Sequence, residues 1–156
     1  MRRFRSTREL EQAVGRELGC SPWLEVTQEM IDQFAQATGD RQWIHCDPQR
    51  ARRESPFGTT VAHGFLTLSL LPRLLEAAFE LSGVRLLVNY GLNRVRFPAP
   101  VPAGARVRMR CRLAELKPHD QQAVTLTLDC TVEVQGQQKP ACVAQWLLRV
   151  FWAAGE

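Results

Sequence analysis

The stretch AHGFLTLSLLPRLLEAAFEL, residues 62–81, decides the fold class of this chain. Apolar residues would cover almost every side of a helix built from it, so such a helix must be buried on most of its surface. Pro72 lies inside the stretch and removes one backbone hydrogen bond, which predicts a kink between Leu68 and Pro72. A long helix of this kind requires a sheet that curls around it.

Four later segments show the two-residue alternation of β-strands and supply that sheet. A hairpin turn is predicted at residues 117–120, where Lys, Pro, His and Asp follow one another. The predicted strands are Val84–Phe97, Arg106–Leu113, Val124–Val134 and Cys142–Trp152. The predicted cross-strand pairs of the hairpin are Cys111 with Leu128, Arg110 with Asp129 and Arg106 with Glu133.

The first sixty residues predict short helices separated by turns. Ser6 and Glu9 have the spacing of a capping box, and apolar residues every fourth position then extend a helix to Gly19. A brief strand at residues 23–26 precedes a helix that Thr27 caps and Gly39 ends. The following loop places His45 on a turn, and Asp47 before a proline starts another short helix. These short helices, the long buried helix and the alternating strands together predict an α+β protein.

Composition narrows the class of protein. With 156 residues, 45% apolar and 23% charged, the chain fits one globular domain, 1–156, with residues 1–20 as a helical extension. No apolar run approaches the roughly 20 residues that cross a bilayer. The basic N-terminus lacks the apolar segment of a secretory signal, so a cytoplasmic location is expected. The net charge of +4 is too dispersed for a nucleic-acid site.

The five cysteines predict no metal site. They are odd in number, show no C-x-x-C spacing and have no nearby pair of histidines to complete a zinc site. We expect reduced, mostly structural thiols.

Asp40 and His45 are the candidate catalytic residues. A carboxylate and an imidazole five residues apart can orient a water molecule and remove its proton. Taken alone, an Asp after Gly39 is more often a turn former. The segment Phe34–His45, followed by Phe57–Gly64, resembles the hydratase 2 signature of the MaoC-like family of (R)-specific enoyl-CoA hydratases. That resemblance favours catalysis over the turn-forming role.

The resemblance implies a hot-dog fold, in which a curved antiparallel sheet wraps a long central helix. It also implies reversible hydration of a trans-2-enoyl-CoA to the (R)-3-hydroxyacyl-CoA, with Asp40 and His45 acting on one water. The expected partners are the acyl-CoA thioester and a second copy in a homodimer, with no nucleic acid and no membrane. Coenzyme A belongs to the substrate, so no separate cofactor is expected.

Four further residues are substrate-binding candidates. Gly64 begins the buried helix, where a free N–H and the helix dipole favour an oxyanion. Ser69 lies one to two turns further on, and His63 fits either a site residue or, as we favour, a structural residue at the helix start. Gln42 and Trp43 stand where the family usually has Asn-Pro, inside the presumed site.

Two other functions remain open at this stage. A hot-dog acyl-CoA thioesterase would take its carboxylate from the central helix, where Glu76 is the candidate. A noncatalytic acyl-CoA-binding subunit would keep the fold without turnover, and the Gln42-Trp43 departure is the feature that favours it.

Overall fold

The structure is a computed structural model that describes residues 1–119 and 122–153. Its described part contains eight strands and six helices along the chain. In chain order they are β1 (Arg2–Phe4), α1 (Thr7–Glu11), β2 (Glu17–Cys20), β3 (Leu24–Glu25), α2 (Gln28–Thr38), α3 (Trp43–Cys46), α4 (Pro48–Glu54), α5 (Gly64–Ser69), α6 (Leu71–Ala78), β4 (Phe79–Leu81), β5 (Val84–Arg96), β6 (Arg106–Pro118), β7 (Ala123–Val134) and β8 (Cys142–Trp152).

One large antiparallel sheet organises the chain. Its strand order is β2-β6-β7-β8-β5, and the short β3 also pairs with β6. The inward face of this sheet packs on α5 and α6, and Leu71 and Leu74 of α6 belong to the same continuous buried core as Met109 and Leu128 of the sheet. The predicted α+β class and the hot-dog arrangement, a curved sheet around a central helix, are confirmed.

The central helix is kinked at the predicted place but is shorter than predicted. It divides at Leu70 into α5 and α6, because Pro72 offers no N–H to continue the hydrogen-bond ladder. The helix ends at Ala78 instead of continuing to Leu81. The last three residues form β4, which pairs in parallel with β1, so an additional strand pair overrides the local helical pattern.

The helix predicted to reach Gly19 ends at Glu11. Its cap is as expected, since the Ser6 hydroxyl accepts a hydrogen bond from the backbone N–H of Glu9. Beyond it, residues 17–20 form β2 and pair with β6, while Gly15, at φ 82°, turns the chain. Tertiary pairing therefore converts the second half of the predicted helix into a sheet strand. The assignment of residues 1–156 to one domain stays a prediction.

The predicted hairpin register is wrong by two residues. Cys111 lies opposite Cys130, and the ion pairs across the hairpin are Arg108 with Glu133 at 2.7 Å and Arg112 with Asp129 at 3.5 Å. Arg110, which was predicted to face Asp129, pairs instead with Glu17 of β2 at 2.6 Å. The cause is the length of β6, which includes Lys117 and Pro118 of the predicted turn. His119 follows the strand, and the predicted turn residue Asp120 lies outside the described residues. A shift of two residues leaves every side chain on its predicted face.

Within residues 1–119 and 122–153, no helix is long and apolar enough to cross a membrane.

Candidate active site

Asp40 is positioned by the end of α2. Thr27 caps this helix at its start, and Gly39 ends it in the left-handed conformation at φ 81°, as the sequence predicts. The next residue, Asp40, is exposed, and its Oδ1 accepts a hydrogen bond from the backbone N–H of Gln42 at 3.4 Å. The carboxylate is thus held at the helix exit while one face stays open to solvent.

His45 lies in the short helix α3 and not on a turn, which corrects the sequence prediction. The helix forms because Asp47, which caps α4 through the N–H of Arg50, also donates its own N–H to the carbonyl of Trp43. The His45 ring is buried, with 8% of the residue exposed. Its Nδ1 donates a hydrogen bond to the Val61 carbonyl at 2.6 Å, so Nε2 carries the free lone pair.

His63 lies inside the same site, although it also begins the central helix. Its ring stacks on that of His45 with centroids 3.9 Å apart and packs against Phe34 at 4.9 Å. Its Nε2 donates to the backbone carbonyl of Asp40 at 2.9 Å. The other nitrogen, Nδ1, is buried and has no hydrogen-bond partner among the described residues. His63 therefore contacts both candidate catalytic residues.

Three side chains consequently converge. One nitrogen of each histidine and a carboxylate oxygen of Asp40 lie within 4.8 Å of one another. Burial lowers the pKa of His45, and the neighbouring His63 lowers it further, while the hydrogen bond to Val61 and the charge of Asp40 act in the opposite direction. The net effect is a neutral imidazole beside a carboxylate at neutral pH, which is the pair required to take a proton from water.

Sequence reasoning missed the residues that hold His45 in place. The side chain of Gln28 donates to the His45 carbonyl at 2.7 Å and accepts from the hydroxyl of Thr60 at 2.5 Å. The backbone N–H of Val61 donates to the carbonyl of Ile44 at 3.0 Å. These contacts join positions 17 and 32 residues apart, and no local pattern in a single sequence marks such pairs.

Asp40 and His45 converge in this chain although Gln42-Trp43 stands between them in place of the family's Asn-Pro. Gln42 precedes α3 with φ −54° and ψ 138°, a conformation that a residue before proline commonly adopts. Trp43 occupies the first helical position and stacks under the guanidinium of Arg50 at 4.4 Å. The Gln42 side chain makes no capping bond, so only its backbone N–H contacts Asp40.

The two remaining candidates, Gly64 and Ser69, line two different cavities beside α5. Gly64 is the first residue of α5 and packs on Phe97 so closely that a Cβ there would lie 3.0 Å from the ring. It borders a cavity of about 330 Å³ that also contacts Phe57. Ser69 borders a second cavity of about 330 Å³ between the helix and strands β5 and β8, lined by Tyr90 and Trp146. The Ser69 hydroxyl donates to the Phe65 carbonyl at 2.7 Å.

The thioesterase candidate Glu76 is not part of the cluster. It lies on the exposed side of α6, whereas the three converging side chains surround the start of α5.

Comparisons with known proteins agree with the fold and identify the family. A 3-hydroxyacyl-thioester dehydratase Z of Mycobacterium tuberculosis is 52% identical over 149 residues, which cover 96% of this chain and 98% of that protein. Nodulation protein N of Rhizobium leguminosarum bv. viciae is 45% identical over 148 residues, covering 91% of this chain and 89% of its own.

Among solved structures, a MaoC-like dehydratase from Rhodospirillum rubrum superimposes with a TM-score of 0.74 at 24% identity, over 94% of this chain and 98% of its own. The sequence model of the MaoC like domain matches residues 9–134, a range that includes the whole Asp and His cluster. This chain belongs to the MaoC-like dehydratase family.

Proposed function

We propose that this protein catalyses the reversible hydration of trans-2-enoyl thioesters to (R)-3-hydroxyacyl thioesters, with coenzyme A as the expected carrier. The observation that carries the proposal is the convergence of Asp40 and His45, with His63, within 4.8 Å. The 52% identity to a protein named 3-hydroxyacyl-thioester dehydratase supports the same chemistry. Because addition of water to an enoyl thioester is an acid–base reaction, we expect no separate cofactor.

His45 is the proposed base. Its Nδ1–H is committed to the Val61 carbonyl, so Nε2 can accept a proton from water while the water oxygen bonds to C3 of the enoyl group. The C2–C3 π bond breaks, and the same proton passes from His45 to C2 on the same face. Asp40 orients the water and stabilises the imidazolium that forms, because its negative charge favours protonated His45.

Gly64 is the proposed donor to the thioester oxygen. Its N–H lies at the start of α5 and has no partner within the helix, and a glycine allows close approach of the ligand. The mostly apolar cavity bordered by Ser69 and Trp146 is the proposed site of the acyl chain. Gln42 contributes its backbone N–H to the orientation of Asp40 and does not need its side chain.

The function is tested by following crotonyl-CoA absorbance in the wild type, Asp40→Asn and His45→Gln. Stereochemistry is checked with a 3-hydroxyacyl-CoA dehydrogenase that oxidises only the (S) product. Because the expected product is (R), this enzyme should form no NADH from it. We expect general-base loss to reduce kcat by about 100- to 10,000-fold. His119→Gln, a histidine on the loop after β6, is the matched control. Release of free coenzyme A would favour a thioesterase, and ligand binding without hydration would favour a noncatalytic subunit.

We also propose that two copies pair through β5. This strand forms one edge of the sheet. Five of its large apolar side chains are exposed, Tyr90 the most at 59%, and the other four are Leu86, Leu87, Val88 and Leu92. Phe65 on α5 is 67% exposed beside the same edge through its contact with Phe97. A long apolar edge in water promotes pairing with another strand, and a two-fold dimer would cover the same edge in both copies.

Light scattering after size exclusion tests the dimer. Leu86→Lys places a charge on the edge and should increase the monomer fraction, whereas Val14→Lys, at a similarly exposed position outside β5, should leave the mass unchanged. A wild-type protein that elutes as a monomer at micromolar concentration would contradict the pairing.

A further inference from the structure

Nδ1 of His63 is a buried atom of the site that has no role in the proposed hydration. His63 is 2% exposed, and its Nδ1 has no hydrogen-bond partner within the described residues. Its Nε2 must carry the proton, because it donates to the carbonyl of Asp40. Nδ1 therefore presents a lone pair, as Nε2 of His45 does for the same reason.

Three groups of this cluster can accept a hydrogen bond or bind a cation. These are the unprotonated nitrogens of the two imidazoles and the carboxylate of Asp40, and one nitrogen of each ring lies within 4.8 Å of the other and of a carboxylate oxygen. A single water molecule has two protons and can satisfy only two of the three. A cation with directed coordination would satisfy all three at once.

The hydrogen bonds of the two histidines are also those of metal ligands. Histidines that bind metals almost always donate their other ring N–H to a carbonyl or carboxylate, which fixes the ring and its tautomer. His45 does so to Val61 and His63 does so to Asp40. Two imidazoles and one carboxylate favour Zn²⁺ and similar transition metals over Mg²⁺ or Ca²⁺, which prefer oxygen ligands.

We propose that His45, His63 and Asp40 form a three-ligand site for a divalent transition metal ion, typified by Zn²⁺, and that the bound ion inhibits the enzyme. Ligand atoms around tetrahedral Zn²⁺ are about 3.3 Å apart. Two imidazole rings that bind one tetrahedral ion have centroids about 5 Å apart, whereas those of His45 and His63 are 3.9 Å apart. Binding therefore requires the two rings to separate and the exposed Asp40 carboxylate, on the loop after Gly39, to turn towards the ion.

Inhibition follows from the ligands the ion uses and rests on the proposed function. Metal bonds would occupy the lone pair of His45 and the carboxylate of Asp40, so neither could take a proton from water or return it to C2. The same ion would occupy the position of the reacting water. The expectation from the cysteines that no metal binds did not consider this pair, because His45 and His63 are 18 residues apart and fit no short metal-binding motif.

Metal binding is measured by calorimetry with ZnCl₂ on the full chain after removal of metal with a chelator. We expect one Zn²⁺ per chain in the wild type. Asp40→Asn and His63→Gln should each weaken Zn²⁺ binding by at least about tenfold. Tenfold is the lower end of the loss seen when a residue that only orients a metal ligand is replaced, and a ligand should contribute no less. Asp40 is exposed, so its variant tests the site even if His63→Gln fails to fold. His119→Gln and Cys46→Ser are the controls for a histidine elsewhere and for the nearby thiol.

The outcomes separate this inference from the proposed function. The metal site is overturned if Asp40→Asn binds Zn²⁺ as tightly as the wild type, or if only Cys46→Ser loses affinity. Either result counts whether or not the protein hydrates crotonyl-CoA. Binding that depends on the three ligands supports it even if another reaction is found. Inhibition of hydration by Zn²⁺ but not Mg²⁺, reversed by chelator, supports the inhibitory role, and faster hydration with Zn²⁺ overturns that role.

Discussion

Gln28 is expected to determine whether His45 is correctly placed for catalysis. Its amide connects the carbonyl of His45, at 2.7 Å, to the hydroxyl of Thr60, at 2.5 Å. Thr60 is 2% exposed and precedes Val61, whose carbonyl orients the His45 ring. Gln28 thus links α3, which carries the proposed base His45, to residues 60–61, whose Val61 carbonyl orients the His45 ring.

Gln28→Ala should reduce both stability and activity. The buried Thr60 hydroxyl loses its acceptor, and leaving such a group unpaired costs about 1–3 kcal/mol of unfolding free energy. Small displacements of a catalytic group cost up to about 100-fold in rate, so we expect kcat to fall by about 10- to 100-fold. The hydrogen bond from Val61 to Ile44 remains, which is why complete loss is not expected.

A double substitution separates these two effects. Gln28→Leu with Thr60→Val replaces both partners by apolar groups of similar shape, so most of the stability should return. Activity should stay low, because the His45 carbonyl still lacks its donor. Gln33→Ala provides the control, since Gln33 is an exposed glutamine of the same helix whose side chain donates to Glu29 at 3.3 Å.

Urea unfolding and crotonyl-CoA kinetics measure the two quantities on the same preparations. If Gln28→Ala keeps both the unfolding free energy and kcat/KM of the wild type, the link does not position His45. If the double variant regains activity together with stability, Gln28 has only a structural role.

Burial lowers the pKa of His45 from 6.5, so the acidic limb of the kcat/KM profile should fall below pH 6.5. NMR titration should show the pKa of His45 rising in His63→Gln, because the electrostatic effect of His63 lowers it in the wild type. Since the depressed pKa favours the neutral ring in the folded state, its contribution to stability is present above pH 6.5 and is lost as the pH falls. A thiol reagent should modify at most Cys20 and Cys46 in the native protein, with Cys46 slow because burial raises its pKa, and all five thiols after denaturation. Leu128→Ala should lower the unfolding free energy by about 2–5 kcal/mol in urea, because this side chain is fully buried between sheet and helix.

The sequence predicted the faces of the strands better than their pairing. Alternation determines which side chains point inwards, and those of Met109, Cys111 and Leu113 are buried as expected. Registers that differ by two residues bury the same side chains, so alternation could not distinguish Cys111 opposite Leu128 from Cys111 opposite Cys130. The irregularity between Leu113 and Glu115 also shifts the pairing, and no turn residue marks it in the sequence.

In the site, too, features set by neighbouring residues were predicted from the sequence, whereas long-range contacts were not. Thr27, Gly39 and Asp47 are helix-terminus signals, and all three act as the sequence predicts. The stacking of His63 on His45 depends on how α5 meets α3, which is a tertiary contact without local signal. The predicted turn at His45 was wrong because the helix there has only four residues and gains its stability from neighbouring caps.

The replacement of the family's Asn-Pro by Gln42-Trp43 shows what the site requires of this loop. Proline would fix the start of α3 by its restricted φ and by its effect on the preceding residue. Here Gln42 adopts that extended conformation without a following proline, and stacking of Trp43 on Arg50 supplies packing at the same position. The backbone N–H of Gln42 still reaches the carboxylate of Asp40. We therefore expect the proposed reaction to depend on the backbone path between carboxylate and imidazole, and to tolerate a change of side chains that keeps this path.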